Sequence, residues 1–172
     1  MSRTEDPMLQ EVIDRLRNRY YGKYRGVVTD VDAATCRIKA HIPNLLGGIE
    51  VGWCAPCVPY AGDQVGFVFL PEVESGVWIE FEGGDLSLPI WVGAYWFDGQ
   101  IPSDAAAAVK VIVTKAPNKV VLDDDGQSLT VSDANENTVT LDASGVSLVR
   151  GGQKLVVSDS SVSVDDGALE VM

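Results

Sequence analysis

Between residues 6 and 21 the apolar positions Leu9, Val12, Ile13 and Leu16 recur every three or four residues, the spacing of one face of an α-helix. Asp6 can cap the start of such a helix, and Pro7 suits its first position. Arg15, Arg17 and Arg19 come late, where positive charge offsets the helix dipole, and Gly22 ends the pattern. Residues 1–21 are therefore expected to form a helical arm. The arm either covers the end of a barrel or grips a neighbouring subunit.

From residue 22 to residue 97 the pattern changes to short apolar runs with β character: KYRGVVTDVD, TCRIKAHIP, WCAPCV, QVGFVFL, GVWIEFE and LPIWVGAYW. In the fifth run Val77, Ile79 and Phe81 alternate with Trp78, Glu80 and Glu82, which fits a strand with one buried face. Turn formers separate the runs at Asp32-Ala33-Ala34, Asn44 with Gly47-Gly48, Ala61-Gly62-Asp63, Glu74-Ser75-Gly76 and Gly83-Gly84-Asp85. Five or six short strands at this spacing suit a small closed barrel. All four tryptophans (Trp53, Trp78, Trp91 and Trp96) lie in this segment, which is expected to hold the main core. Residues 98–108, with Gly99, Pro102 and an alanine run, read as a connector. A short helix over the alanines is open, but no amphipathic pattern supports it.

Residues 109–172 contain no aromatic residue. A small unit recurs there, one apolar residue, any residue, another apolar residue: Val120/Leu122, Leu129/Val131, Val139/Leu141, Val146/Leu148, Leu155/Val157, Val162/Val164 and Leu169/Val171. Turn formers lie between the couplets, among them Asp123-Asp124-Asp125-Gly126, Asp142-Ala143-Ser144-Gly145 and Gly151-Gly152. The pattern predicts a succession of very short strands joined by tight turns. Fourteen Val and Leu side chains bury too little surface to offset the backbone entropy of ordering this stretch alone. A one-chain solenoid would keep a constant coil length, whereas the couplets start 7 to 10 residues apart. Interdigitated copies winding about one axis fit better, with Val and Leu in a narrow apolar centre and Asp, Ser and Lys outside. The first six couplets, Val120 through Val164, are the expected shared core.

Acidic residues number 25 against 13 basic ones, a formal net charge of -12. That balance argues against nucleic acid as a partner and against anionic lipid, because both need clustered Lys and Arg. A single histidine, His41, removes most Ser-His-Asp, Cys-His and multi-histidine metal sites. No apolar run reaches the length of a membrane-spanning helix, and residues 1–21 lack the apolar stretch of a secretory signal, so assembly in the cytoplasm is expected. Three cysteines (Cys36, Cys54 and Cys57) cannot all pair within one chain and fit a reducing compartment.

Candidate chemistry is sparse. A redox Cys54-x-x-Cys57 would need a helix starting at its first cysteine, but Trp53 and Val58-Pro59-Tyr60 read as strand. No second such pair completes a zinc site, so two strand cysteines packed as small apolar groups is the favoured reading. Asp123-Asp124-Asp125-Gly126 lacks the twelve-position calcium pattern and reads as a solvated turn. Glu80, Glu82 and Asp85 read as an exposed polar face. No catalytic residue, cofactor or metal is expected.

The string PCVPYAGDQVGFVFLPEVESGVWIEFEGGDLSLPIWVGAYW, residues 56–96, resembles the baseplate assembly protein V family of contractile phage tails. The same module occurs in extracellular contractile injection systems and type VI secretion spikes. The similarity rests on PYAG, G-x-x-x-x-P-E-V, V-W-I-E-F-E-G-G-D and P-I-W-V-G. One departure, Glu74-Ser75 before the Val77-Trp78 strand where relatives often have Gly, affects only a turn. The later stretch NKVVLDDDGQSLTVSDANENTVTLDASGVSLVR is similar to the needle that follows the barrel in this family. The resemblance implies an all-β protein: an oligonucleotide/oligosaccharide-binding (OB) barrel, then an intertwined trimeric β-helix or β-prism. It implies a homotrimer and no enzyme, since only a short connector stands where some relatives carry a lysozyme domain. It also implies baseplate hub or inner-tube proteins above the barrel. A small PAAR-like tip protein would sit on the end formed by Leu169, Val171 and Met172, and a target membrane would be met only on firing. The expected role is the central spike of a phage tail or injection particle. The alternative is an oligomeric OB-fold module that binds an oligosaccharide or oligonucleotide.

Overall fold

The computed structural model describes residues 7–17, 19–45 and 47–172. The chain forms two compact units, Met1–Gly99 and Gln100–Met172. It is mostly β, with one short α-helix.

Helix α1 spans Pro7–Arg17. It stops short of the expected Tyr21 because the chain beyond it is drawn onto the barrel. The Tyr20 N–H donates to the Gly84 carbonyl at 2.9 Å, and the Tyr20 ring meets Phe81 edge-on with centroids 6.3 Å apart. Arg19 then lies past the helix, 3.6 Å from the Asp85 carboxylate. Leu9 and Val12 of the apolar stripe remain exposed. Asp6, the expected cap, lies outside the described residues, as do the side chains of Arg15, Leu16 and Arg17.

The first unit contains β1 (Tyr24–Asp32), β2 (Arg37–Ile42), β3 (Ile49–Pro56), β4 (Ala61–Gly62), β5 (Val65–Gly66), β6 (Gly76–Phe81) and β7 (Pro89–Tyr95). Five of these close a barrel in the order β1-β2-β3-β7-β6, with β6 returning to β1. All pairings are antiparallel except β3 with β7, which run parallel through Ala55↔Ile90 and Pro56↔Trp91. This is the topology of an OB-type barrel.

The barrel interior is built from β-branched and other compact side chains. Val28, Ile38, Ile42, Val77 and Ile79 are almost wholly buried, with Phe81 and Trp91 closing the core. Val77, Ile79 and Phe81 face inward as their alternation requires. Trp91 is the only buried tryptophan, and its Nε1–H donates to the Cys36 carbonyl at 3.1 Å. Trp53 and Trp96 are exposed, so the aromatic mass contributes less to the core than expected.

The run QVGFVFL is not a barrel strand. Only Val65–Gly66 is extended there, and it pairs locally with β4. The barrel already closes through β1 and β6, so no edge is left to receive this segment. Instead the Phe67 N–H donates to the Tyr60 carbonyl at 2.9 Å, and Phe67, Val68 and Phe69 stay exposed. The Phe67 and Phe69 rings stack with centroids 5.6 Å apart.

The second unit holds β8 (Val109–Val113), β9 (Lys119–Asp123), β10 (Ser128–Ser132), β11 (Thr138–Asp142), β12 (Gly145–Arg150), β13 (Gln153–Val157), β14 (Val162–Val164) and β15 (Leu169–Val171). They form one eight-stranded sheet in strict chain order, antiparallel throughout. The alanine run forms no helix. Its last carbonyl, that of Ala108, accepts from the Asp124 N–H at 2.9 Å, and Asp104 pairs with Lys119.

Candidate assembly interface

The register of the second sheet places the couplets side by side. One ladder runs Ile112, Val120, Val131, Val139, Leu148, Leu155, Val164, Leu169. The next runs Lys110, Leu122, Leu129, Leu141, Val146, Val157, Val162, Val171. Partners across a ladder, and residues two apart in a strand, share a face. All seven couplets therefore lie on a single face of the sheet as two adjoining stripes. The intervening ladder on the opposite face runs Val111, Val121, Thr130, Thr140, Ser147, Val156, Ser163 and is much more polar.

None of the twelve residues from Val120 to Val164 that make up the first six couplets is buried by its own chain. Leu122, Val131, Leu141, Val146, Leu148, Val157 and Val162 are 39–43% exposed, and the other five are half-buried. No described side chain of this unit is buried at all. The contrast with the barrel is chemical as well as geometric: a closed sheet covers its own apolar face, an open one does not. Val131, Val139, Leu148, Leu155 and Val164 line an open groove of about 640 Å³, bordered by Asp133, Asn137, Arg150, Gln153 and Asp165. Leu169, Val171 and Met172, at the far end of the sheet, are 60–100% exposed, more than any residue of the first six couplets.

Because each strand pairs with its sequence neighbours, β9 to β14 have both edges satisfied within one chain. Only β8 and β15 carry an open edge. The apolar face, not a free strand edge, is therefore what β9 to β14 leave uncovered.

The contribution of β8 was not among the couplets. Its Val109, Val111 and Val113 alternate and suggest the wrong face, whereas the register puts Ile112 beside Val120. Lys110 takes the remaining place and pairs with Asp124.

Carboxylates hold the hairpin turns. Asp133 accepts from the N–H groups of Asn135 and Asn137 at 2.8 and 3.0 Å, and from the Asn137 side-chain amide at 2.6 Å. Those bonds, the Asn137 amide first, hold its carboxyl far below the usual range. Asp142 accepts from the Ser144 hydroxyl and N–H, which likewise lowers its pKa. In the Asp123-Asp124-Asp125-Gly126 turn, Asp123 accepts from the Gly126 N–H at 2.9 Å.

Of the cysteine pair only Cys54 is the packed strand cysteine expected: it is buried within β3, whereas Cys57 lies just past the end of that strand and is exposed. Burial pushes the Cys54 thiol up to about 12, opposite to what a redox nucleophile requires. Glu80 pairs with Lys23, and Asp85, lowered by its bonds from Ser87, faces Arg19. His41 is exposed. No group of three metal-ligating side chains occurs among the described residues, and no helix among them is long and apolar enough to cross a membrane.

Residues 24–96 match the family model described as the type VI secretion system/phage-baseplate injector OB domain. Residues 109–170 match the phage baseplate V C-terminal trimerisation domain. None of the curated proteins matches the sequence.

Proposed function

Since this chain belongs to the phage baseplate V family, with the OB domain and the trimerisation domain in order, we propose that it is the central spike of a contractile injection machine. Three copies bring the apolar faces of their second units together around one axis. Val120, Leu122, Leu129, Val131, Val139, Leu141, Val146, Leu148, Leu155, Val157, Val162 and Val164 form the shared core. The single observation that carries this is the pair of unbroken apolar ladders on a sheet that buries none of them.

The role is mechanical and not catalytic. A contracting sheath drives an inner tube forward with the spike at its front, and the spike meets a target membrane only then. Load along the needle must break many aliphatic contacts and ladder hydrogen bonds together, which resists bending. Hub or inner-tube proteins hold the barrel end. A small PAAR-like tip protein docks on Leu169, Val171 and Met172, whose exposure suits a capped end. The needle works as part of a phage tail or injection particle assembled in the cytoplasm.

Light scattering tests the reading. The expected mass is three times the 18.4 kDa chain. A monomer at micromolar concentration would overturn it.

A further inference from the structure

Resting on the spike reading just proposed, we infer that residues 60–74 form a finger by which the barrel docks into its hub protein, in an apolar recess of the hub bordered by Lys and Arg. The finger is a built element. β4 and β5 pair through Ala61↔Gly66 and Gly62↔Val65. A Cβ on Gly66 would stand 3.1 Å from the Tyr60 carbonyl oxygen, so glycine there lets the two limbs close. Val58 before the finger and Leu70 within it pack on the barrel core, and the Glu74 N–H donates to the Val28 carbonyl at 2.9 Å. Between these anchors Tyr60, Val65, Phe67, Val68, Phe69 and Val73 are each more than half exposed. Phe67 and Phe69 stack, and Val68 between them is the most exposed of the six, so the chain itself covers no side of this segment. An apolar element bare all round suits entry into a recess better than contact with a flat surface.

Charge identifies the kind of partner. No Lys or Arg occurs between Lys39 and Lys110, a stretch that holds nine Asp and Glu. Asp63, Glu72 and Glu74 are the only charged residues of the finger, and none of them makes an ion pair among the described residues. The finger is thus apolar with an acidic border. A second copy does not offer the complement among its described barrel residues. Arg19 pairs with Asp85, Lys23 with Glu80 and Lys39 with Asp30, Arg25 lies over the Trp78 and Tyr95 rings, and Arg37 stands opposite Asp32. Three fingers meeting on one axis, with three carboxylates each, would repel. A different protein, with cations around an apolar recess, satisfies both the exposed aromatics and the carboxylates.

Calorimetric titration of the full-length chain with purified hub protein tests the finger. Phe67→Ser combined with Phe69→Ser should weaken binding at least about 100-fold, because the contact loses two buried aromatic rings. Glu72→Lys should weaken it about 10-fold at low salt and much less at about 0.5 M. Both variants should keep the melting temperature and the light-scattering mass of the unaltered chain, since the altered side chains are exposed. If the unaltered chain scatters as a monomer, the spike reading itself is wrong. If it is a trimer that binds no hub, or binds it equally well without the two phenylalanines, the finger is wrong and the trimeric core stands. Loss of trimer mass in the double serine variant would make the finger a contact between copies and would equally overturn the inference.

Discussion

Gly145 shows how little freedom single positions have. It begins β12 with φ +128°, and a Cβ there would sit 2.0 Å from the Val157 carbonyl oxygen. Gly145→Ala should cost the second unit more than about 1 kcal/mol, because strain and a backbone clash add. A lower thermal midpoint of the second unit, with the barrel transition unchanged, is the expected result. Cys54 and Cys57 make a contrasting pair. A maleimide at pH 8 should label Cys57 in the native protein and leave Cys54 unmodified until denaturant is added, since only the thiolate reacts and burial suppresses it. Peptide mass mapping reads this directly, and prompt labelling of Cys54 would contradict its place in the core.

At the level of elements, the meander is a set of ladders held by side-chain-pinned turns. Asp133 and Asp142 have pKa values below the ordinary carboxylate range, so protons bind them more readily in the unfolded chain. Their contribution is complete above about pH 4 and fades as acid drives pH down through the folded values. Melting followed by circular dichroism should therefore show the second unit weakening on acidification from pH 5. Relief of the net charge of -12 acts in the opposite sense. Asp133→Ala isolates the turn effect: it should lower stability at pH 7 and flatten the acid dependence. The central ladder is tested by Leu148→Lys, which places a charge where three apolar faces would converge. Trimers should be lost from light scattering while the barrel stays folded. The couplets were legible because two residues on one face of a very short strand leave a period that nothing disguises. Helix α1 was legible through its stripe, but its end was not, since Tyr20 is recruited by the distant Gly84 carbonyl. QVGFVFL misled for a related reason. Its apolar alternation is real, but whether it joins a barrel depends on an edge that β1 and β6 had already closed. β8 was missed because the stronger alternation in its sequence belongs to the polar face.

For the whole molecule, the two units differ in where their burial comes from. Among the described residues, every buried apolar side chain, from Val28 to Trp91, belongs to the barrel unit. A chain ending at Gly99 should therefore fold, bury Trp91 and run as a monomer, measured by tryptophan emission and sedimentation. A trimer from that fragment would show that the barrel, and not the open sheet, joins the copies. Fold class could be read from strand spacing and turn chemistry. The partners could not, because an exposed stripe of valine and leucine states only that something covers it. The family match supplies the number of copies.

Strict chain-order stacking also makes length a countable property. Each strand advances the meander by about 4.7 Å, so its seven steps amount to roughly 33 Å. Adding one hairpin anywhere between β9 and β14 would extend it by about 9–10 Å without altering any other pairing. Reach can thus be tuned by duplicating a segment of some sixteen residues, in fixed increments, as rungs are added to a rope ladder.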